Sequence, residues 1–143
     1  MESNANGKKQ VKSTYKVVNW KEDTWKEISP EVKLTKATVE FGLEGELLGK
    51  ASVEYLMYYS FFDGKEPHKS SAEYIGMMHI EGKLKGKSGT FSLDDSGIFE
   101  AGTAYSTLRI LEGSGTGDFK TIRGTGKYRA NQEGNHFELE YEL

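Results

Sequence analysis

The sequence predicts an all-β domain, a barrel or sandwich of roughly seven or eight strands, and three observations lead there. Apolar and polar residues alternate with a period of two in segment after segment. Gly, Asp and Asn break these segments at short intervals. No window carries an apolar stripe of helical period bounded by caps. Segments of about ten residues favour closure into a barrel, because a closed sheet leaves no long strand edge unpaired.

Each element follows in order. Residues 1–12, MESNANGKKQVK, are polar and turn-rich and are expected to form a flexible tail. Residues 13–143 are then a single domain, as a chain of 143 residues suggests. NWKEDTWKEI is the best helix candidate, a short turn anchored by Trp20 and Trp25 and ended by Pro30. EVKLTKATVEFGLEG alternates at Thr35, Ala37, Val39 and Phe41 and reads as a strand. KASVEYLMYYSFF is rich in β-branched and aromatic residues and runs into the turn signal Asp63–Gly64. AEYIGMMHIEGKL and SGTFSLDDSG are separated by KGK with Gly86 as the turn; TAYSTLRILEG and FKTIRGTGKYRA come next. NHFELEYEL alternates most cleanly, with Phe137, Leu139, Tyr141 and Leu143 on one face. His136, Glu138, Glu140 and Glu142 occupy the other, so one face is buried and one is wet.

Composition narrows the function classes. A net charge of −3 and a pI near 5.7 argue against nucleic acid, whose binders carry a basic stripe. The absence of cysteine removes disulfides, thiolate metal sites and cysteine nucleophiles together. No apolar run approaches the ~18 residues of a membrane span, so no membrane partner is expected. The first residues lack the apolar core of a signal peptide, which makes a cytoplasmic location the expectation.

The glycine-rich stretch LEGSGTGDFKTIRGTG, residues 111–126, raises the question of a phosphate cradle. Gly113, Gly115 and Gly117 are followed by Asp118 and then by strand-like sequence, whereas a dinucleotide loop needs a third glycine opening a helix. A carboxylate at Asp118 would also repel a pyrophosphate. GKLKGKS, residues 82–88, has one residue too few between its glycines for a phosphate loop and lies between two strands. The stretch therefore reads as a tight corner between strands, with Gly124 and Gly126 letting the second one bend.

Candidate chemical residues are few. His68, His79 and His136 show no paired metal-ligand spacing, and no metal site is expected. His68 lies in a loop, His136 on the wet face, and His79 inside a strand where it has a chance of facing an enclosed space. Glu54 stands in the most apolar strand, on the face of Leu56 and Tyr58. A carboxylate there is either exterior, paired with Arg109 or Arg123, or a proton donor or acceptor in a cavity that raises its pKa. The many tyrosines fill a core or line a cavity of mixed polarity.

In this order and spacing the segments NWKE, KLTKATVEF, VEYLMYY, EYIGMMHIEGKLKGKSGTFSL, GSGTGDFKTIRGTG and LEYEL resemble an uncharacterised bacterial family of allene oxide cyclase-like barrel proteins. Gly117, Phe119, Arg123 and Gly124 are also similar to the glycine motif of plant dirigent proteins, with Ser114 where that motif has its first glycine. The resemblance implies an eight-stranded antiparallel β-barrel with an apolar central cavity, often trimeric. It also implies relatives that cyclise a reactive intermediate or steer its coupling without a metal or organic cofactor. Glu54 matches the glutamate that typically precedes the family's Tyr-Leu-Met. Met78 and His79 stand where the family commonly has an acidic and then a basic residue.

The resulting expectation is a barrel enclosing a hydrophobic small molecule, a cofactor-independent cyclase or isomerase. Glu54 and His79 would handle protons, Tyr58, Tyr74 and Tyr105 would form the wall, and Arg109 or Arg123 would supply a counter-ion. The alternatives are a non-catalytic carrier barrel, and a plugged barrel acting through its surface or oligomer. An enclosed pocket of about 300 Å³ or more separates the first two from the third.

Overall fold

The computed structural model describes residues 8–143 and contains eight strands. They are β1 (Lys9–Glu27), β2 (Lys33–Gly45), β3 (Leu47–Phe61), β4 (Ser71–Leu84), β5 (Lys87–Glu100), β6 (Thr103–Ile110), β7 (Arg123–Asn131) and β8 (Gly134–Glu142). Each pairs antiparallel with its sequence neighbours, and β1 pairs with β8, so the sheet closes into a ring, a closed barrel in simple chain order. Among the described residues no helix is long and apolar enough to cross a membrane.

The alternation read from the sequence decides the faces. Thr35, Ala37, Val39 and Phe41 of β2 are buried, as are Phe137, Leu139 and Tyr141 of β8, while His136 is exposed. The ring interior away from the cavity described below is packed solid by Phe91, Leu93, Leu108, Ile110 and Leu139.

Three expectations change. Lys9 to Lys12 belong to β1, where Lys9 pairs with Tyr141 and Lys12 with Glu138, so this part of residues 1–12 is strand and not tail. Residues 1–7 lie outside the described residues. NWKEDTWKEI is strand up to Glu27, because its backbone pairs along β2, with Trp20 opposite Val39 and Glu22 opposite Ala37. Pairing against an apolar neighbour outweighs the weak local helix preference.

The glycine-rich stretch is not a tight corner. β6 is short, and its pairing with β5 stops at Leu93–Ile110, which leaves the first part of β5 as a bare edge. The connection over residues 111–122 covers that edge. Leu111 N–H donates to Ser92 O at 2.9 Å, Thr116 N–H to Thr90 O at 2.8 Å, and Ser92 N–H to Ser114 Oγ at 3.0 Å. Asp118 accepts from Ser88 N–H at 2.9 Å. A short 3-10 turn, Gly117–Phe119, then drives the Phe119 ring into the core against Phe91, at 5.4 Å between centroids. The stretch is a stopper for one end of the ring, and a covered edge is also protected from pairing with other chains.

The other end is built differently. β1 pairs with β8 only from Lys9 to Thr14 but continues along β2 to Glu27. The β1–β2 pair thus overhangs the ring opening. A register shift between Val17 and Asn19 marks a bulge, which re-aims the strand. Before it Val11, Ser13 and Tyr15 face inward; beyond it Trp20 and Glu22 do.

Candidate functional site

A cavity of about 470 Å³ opens at the overhung end. Tyr15, Phe41, Tyr55, Met57, Tyr74 and Tyr128 form its wall and floor. The connection between β3 and β4 contributes Phe62 and His68, and the bulged part of β1 contributes Trp20 and Glu22.

The floor is assembled by two cross-strand triplets of the same design. Tyr55, Gly76 and Asp95 are in register across β3, β4 and β5; Tyr74, Gly97 and Ser106 are in register across β4, β5 and β6. In each, a tyrosine reaches over a glycine to a polar group on the third strand. Tyr55 Oη donates to Asp95 Oδ2 at 2.7 Å, and Tyr74 Oη exchanges a hydrogen bond with Ser106 Oγ at 2.6 Å. The glycines are needed for this passage. A Cβ on Gly76 would come 2.7 Å from Tyr55 Cδ1, and one on Gly97 would come 2.8 Å from Tyr74 Oη. Both would also overlap a neighbouring carbonyl oxygen, Glu54 O and Tyr105 O respectively.

Tyr128 completes the cluster from the opposite wall, its hydroxyl bonded to that of Tyr55. Because Tyr55 spends its proton on Asp95, Tyr128 donates to Tyr55. Asp95 is 1% exposed, and burial pushes its carboxyl up to about 6, against the hydrogen bond from Tyr55. Burial also lifts the phenols of Tyr15, Tyr55 and Tyr128 far above their usual range, so they remain donors at physiological pH. Two buried atoms, Tyr15 Oη and Asp95 Oδ1, have no hydrogen-bond partner among the described residues.

The rim holds a second carboxylate. Glu22 accepts from Trp20 Nε1 at 3.0 Å, from Thr35 Oγ1 at 2.6 Å and from Tyr59 Oη at 2.7 Å. Nearby, Lys33 Nζ sits 3.4 Å from the centroid of the Phe62 ring.

Of the residues given a site role from the sequence, only Tyr74 is in the cavity wall; His68, expected in a loop, also reaches the lining. Glu54 faces outward, accepting from Thr38 Oγ1 at 2.9 Å and lying 3.6 Å from Lys36 Nζ. His79 is also outside, with Nδ1 2.9 Å from Ser92 Oγ. Tyr58 and Tyr105 stand exposed on the outer face. Arg109 pairs with Asp94 at 2.6 Å and Arg123 with Glu142 at 3.0 Å, neither near Glu54. The cause is the pleat: Val53, Tyr55, Met57 and Tyr59 face inward, so Glu54, Leu56 and Tyr58 must face out. Asp95, Tyr55, Tyr128, Tyr15 and Glu22 are the cavity groups that the sequence does not single out. Asp95 had a legible signal, since it continues the Phe91–Leu93 face of its strand.

A family profile described as a protein of unknown function, DUF3224, matches residues 11–142. The chain belongs to the DUF3224 family. A DUF3224 protein of unknown function from Shewanella oneidensis MR-1, solved by crystallography, is 21% identical. The alignment covers 94% of this chain and 96% of that one with a TM-score of 0.70, a likeness of fold. No match was found among curated proteins. The expectation of an uncharacterised family holds, and DUF3224 is such a family.

Proposed function

We propose that this DUF3224 protein encloses a small, mainly apolar molecule in the open end of its closed sheet, as allene oxide cyclase-like barrels do. The observation that carries this reading is the cavity of about 470 Å³, within the size range of small-molecule sites and walled by aromatic and aliphatic side chains. The Phe119 stopper leaves the overhung end as the entrance. Burying a ten-carbon chain there would supply roughly 0.8 kcal/mol per methylene before the cost of ordering it.

Decanol binding, followed by displacement of the neutral fluorophore phenylnaphthylamine, tests the reading. Ala130, on the cavity wall, replaced by Trp is expected to weaken binding at least tenfold. Glu54→Gln and His79→Gln, both on the outer face, are expected to leave it unchanged. Wild-type affinity in Ala130→Trp, or loss of binding in Glu54→Gln, would reject the cavity as the site.

A cofactor-independent cyclase or isomerase is the catalytic form of the same reading. It is favoured by a carboxyl titrating at about 6 behind the phenols of Tyr55 and Tyr128, which would take the proton-handling role first assigned to Glu54 and His79. Turnover lost in Tyr55→Phe with decanol binding retained would support it, and turnover unaffected would remove it. The homo-oligomer, a trimer by resemblance, would use the outer face, where exposed Leu56 pairs with Ile75 and Ile98 with Tyr105. Sedimentation as a monomer at high concentration would rule this out.

A further inference from the structure

We propose that the cavity selects its occupant by charge, taking an apolar molecule with an organic-cation head that docks at Glu22, and rejecting carboxylates of the same shape. This rests on the cavity being a ligand site. Glu22 lines an otherwise mainly apolar cavity, and its three hydrogen-bond donors are neutral: an indole, a hydroxyl and a phenol. Among the described residues it has no ion-pair partner. A carboxylate has about four acceptor positions, so one remains for a ligand donor.

The rest of the cavity has the same polarity. Its lining includes no lysine or arginine, and His68 at the mouth is the basic side chain there. Asp95 lies under the floor, also without a cation partner among the described residues. The floor has a further unmet polar group in Tyr15, which is 7% exposed, lines the cavity and leaves its hydroxyl unpartnered. An anionic head would meet the Glu22 carboxylate in the lining, with Asp95 beneath the floor and the Lys33 ammonium outside the lining, held on the Phe62 ring. A cationic head would meet Glu22 and the ring faces of Trp20, Tyr59 and Phe62. Lys33 shows that two of these rings hold an ammonium, its Nζ lying 3.4 Å from the Phe62 centroid and 5.7 Å from that of Tyr59. The apolar tail would then run inward over Met57 and Phe41 toward the tyrosine floor.

Decylammonium and decanol differ only in the head group, and decanoate has a tail one methylene shorter, worth roughly fourfold, so tenfold differences among the three, titrated by phenylnaphthylamine displacement at pH 7.5 and low salt, report the charge. Decylammonium is expected to bind at least tenfold tighter than decanol, and decanoate at least tenfold weaker. In Glu22→Gln, at the rim and away from the packed core, the ammonium–alcohol gap is expected to close to within about threefold. Decanol binding with decylammonium no better, with decanoate equal or better, or with a gap unchanged in Glu22→Gln overturns charge selection alone. Failure of all three ligands overturns the cavity reading and this inference with it.

Discussion

Gly97→Ala is expected to destabilise the protein by about 3 kcal/mol or more, a large effect for one added methyl group. The methyl would overlap the backbone carbonyl of Tyr105 on the paired strand, so no rotamer change relieves it; β5 and β6 must separate. It would also press on Tyr74 Oη at 2.8 Å, breaking the bond to Ser106 that closes the floor. Urea unfolding followed by tyrosine fluorescence measures the loss. Ser106→Ala separates the two contributions, since it removes the hydrogen bond without the clash and should cost about 1 kcal/mol. If Gly97→Ala unfolds at the same urea concentration as Ser106→Ala, the close passage of strands at Gly97 is not what the position provides.

The second large effect is a pH dependence set by Asp95. Its carboxyl titrates at about 6 in the folded chain against 3.8 as an ordinary aspartate, so the folded state binds the proton more tightly. Below about pH 4 the group is protonated in both states and the fold has its full stability. As pH rises toward 6 the unfolded chain releases its proton first, and folding stability falls. A carboxyl raised from 3.8 to about 6 loses roughly 3 kcal/mol of stabilisation over this rise, complete by about pH 7. Asp95→Asn removes this titration while the exposed carboxyls stay common to both proteins. Wild-type stability relative to Asp95→Asn should therefore drop by about that amount between pH 4 and pH 7.5, read from paired urea titrations. A difference that stays flat, or that rises with pH, would mean that Asp95 is solvated or paired in solution.

The architecture was legible because strand alternation reports burial directly. Thr35 to Phe41 and Phe137 to Tyr141 face the core as their spacing requires. The site was less legible because one register step moves a residue through the wall. Glu54 drew attention as a carboxylate in an apolar strand, yet its neighbours Leu56 and Tyr58 are themselves outside. Local apolarity there marks an outer face with exposed hydrophobics, not an interior. Asp95 carried the better signal, a carboxylate in phase with Phe91 and Leu93 on the buried face of its strand. Glu22 had no local signal at all. Its inward aim depends on the bulge after Val17, and a bulge is fixed by pairing with β2 rather than by the residues that form it. The glycines of residues 111–126 misled in a similar way. Their role is to lay a loop along the edge that short β6 leaves bare, which only the pairing lengths reveal.

The central claim, that the cavity holds an apolar molecule, is tested most directly by the methionine methyl resonances of methyl-labelled protein. Met57 lines the cavity, whereas Met77 stands 58% exposed on the outer face of β4. Titration with decanol should move the Met57 methyl signal saturably and leave that of Met77 in place. A Met57 signal that does not move, with or without a shift at Met77, would contradict it.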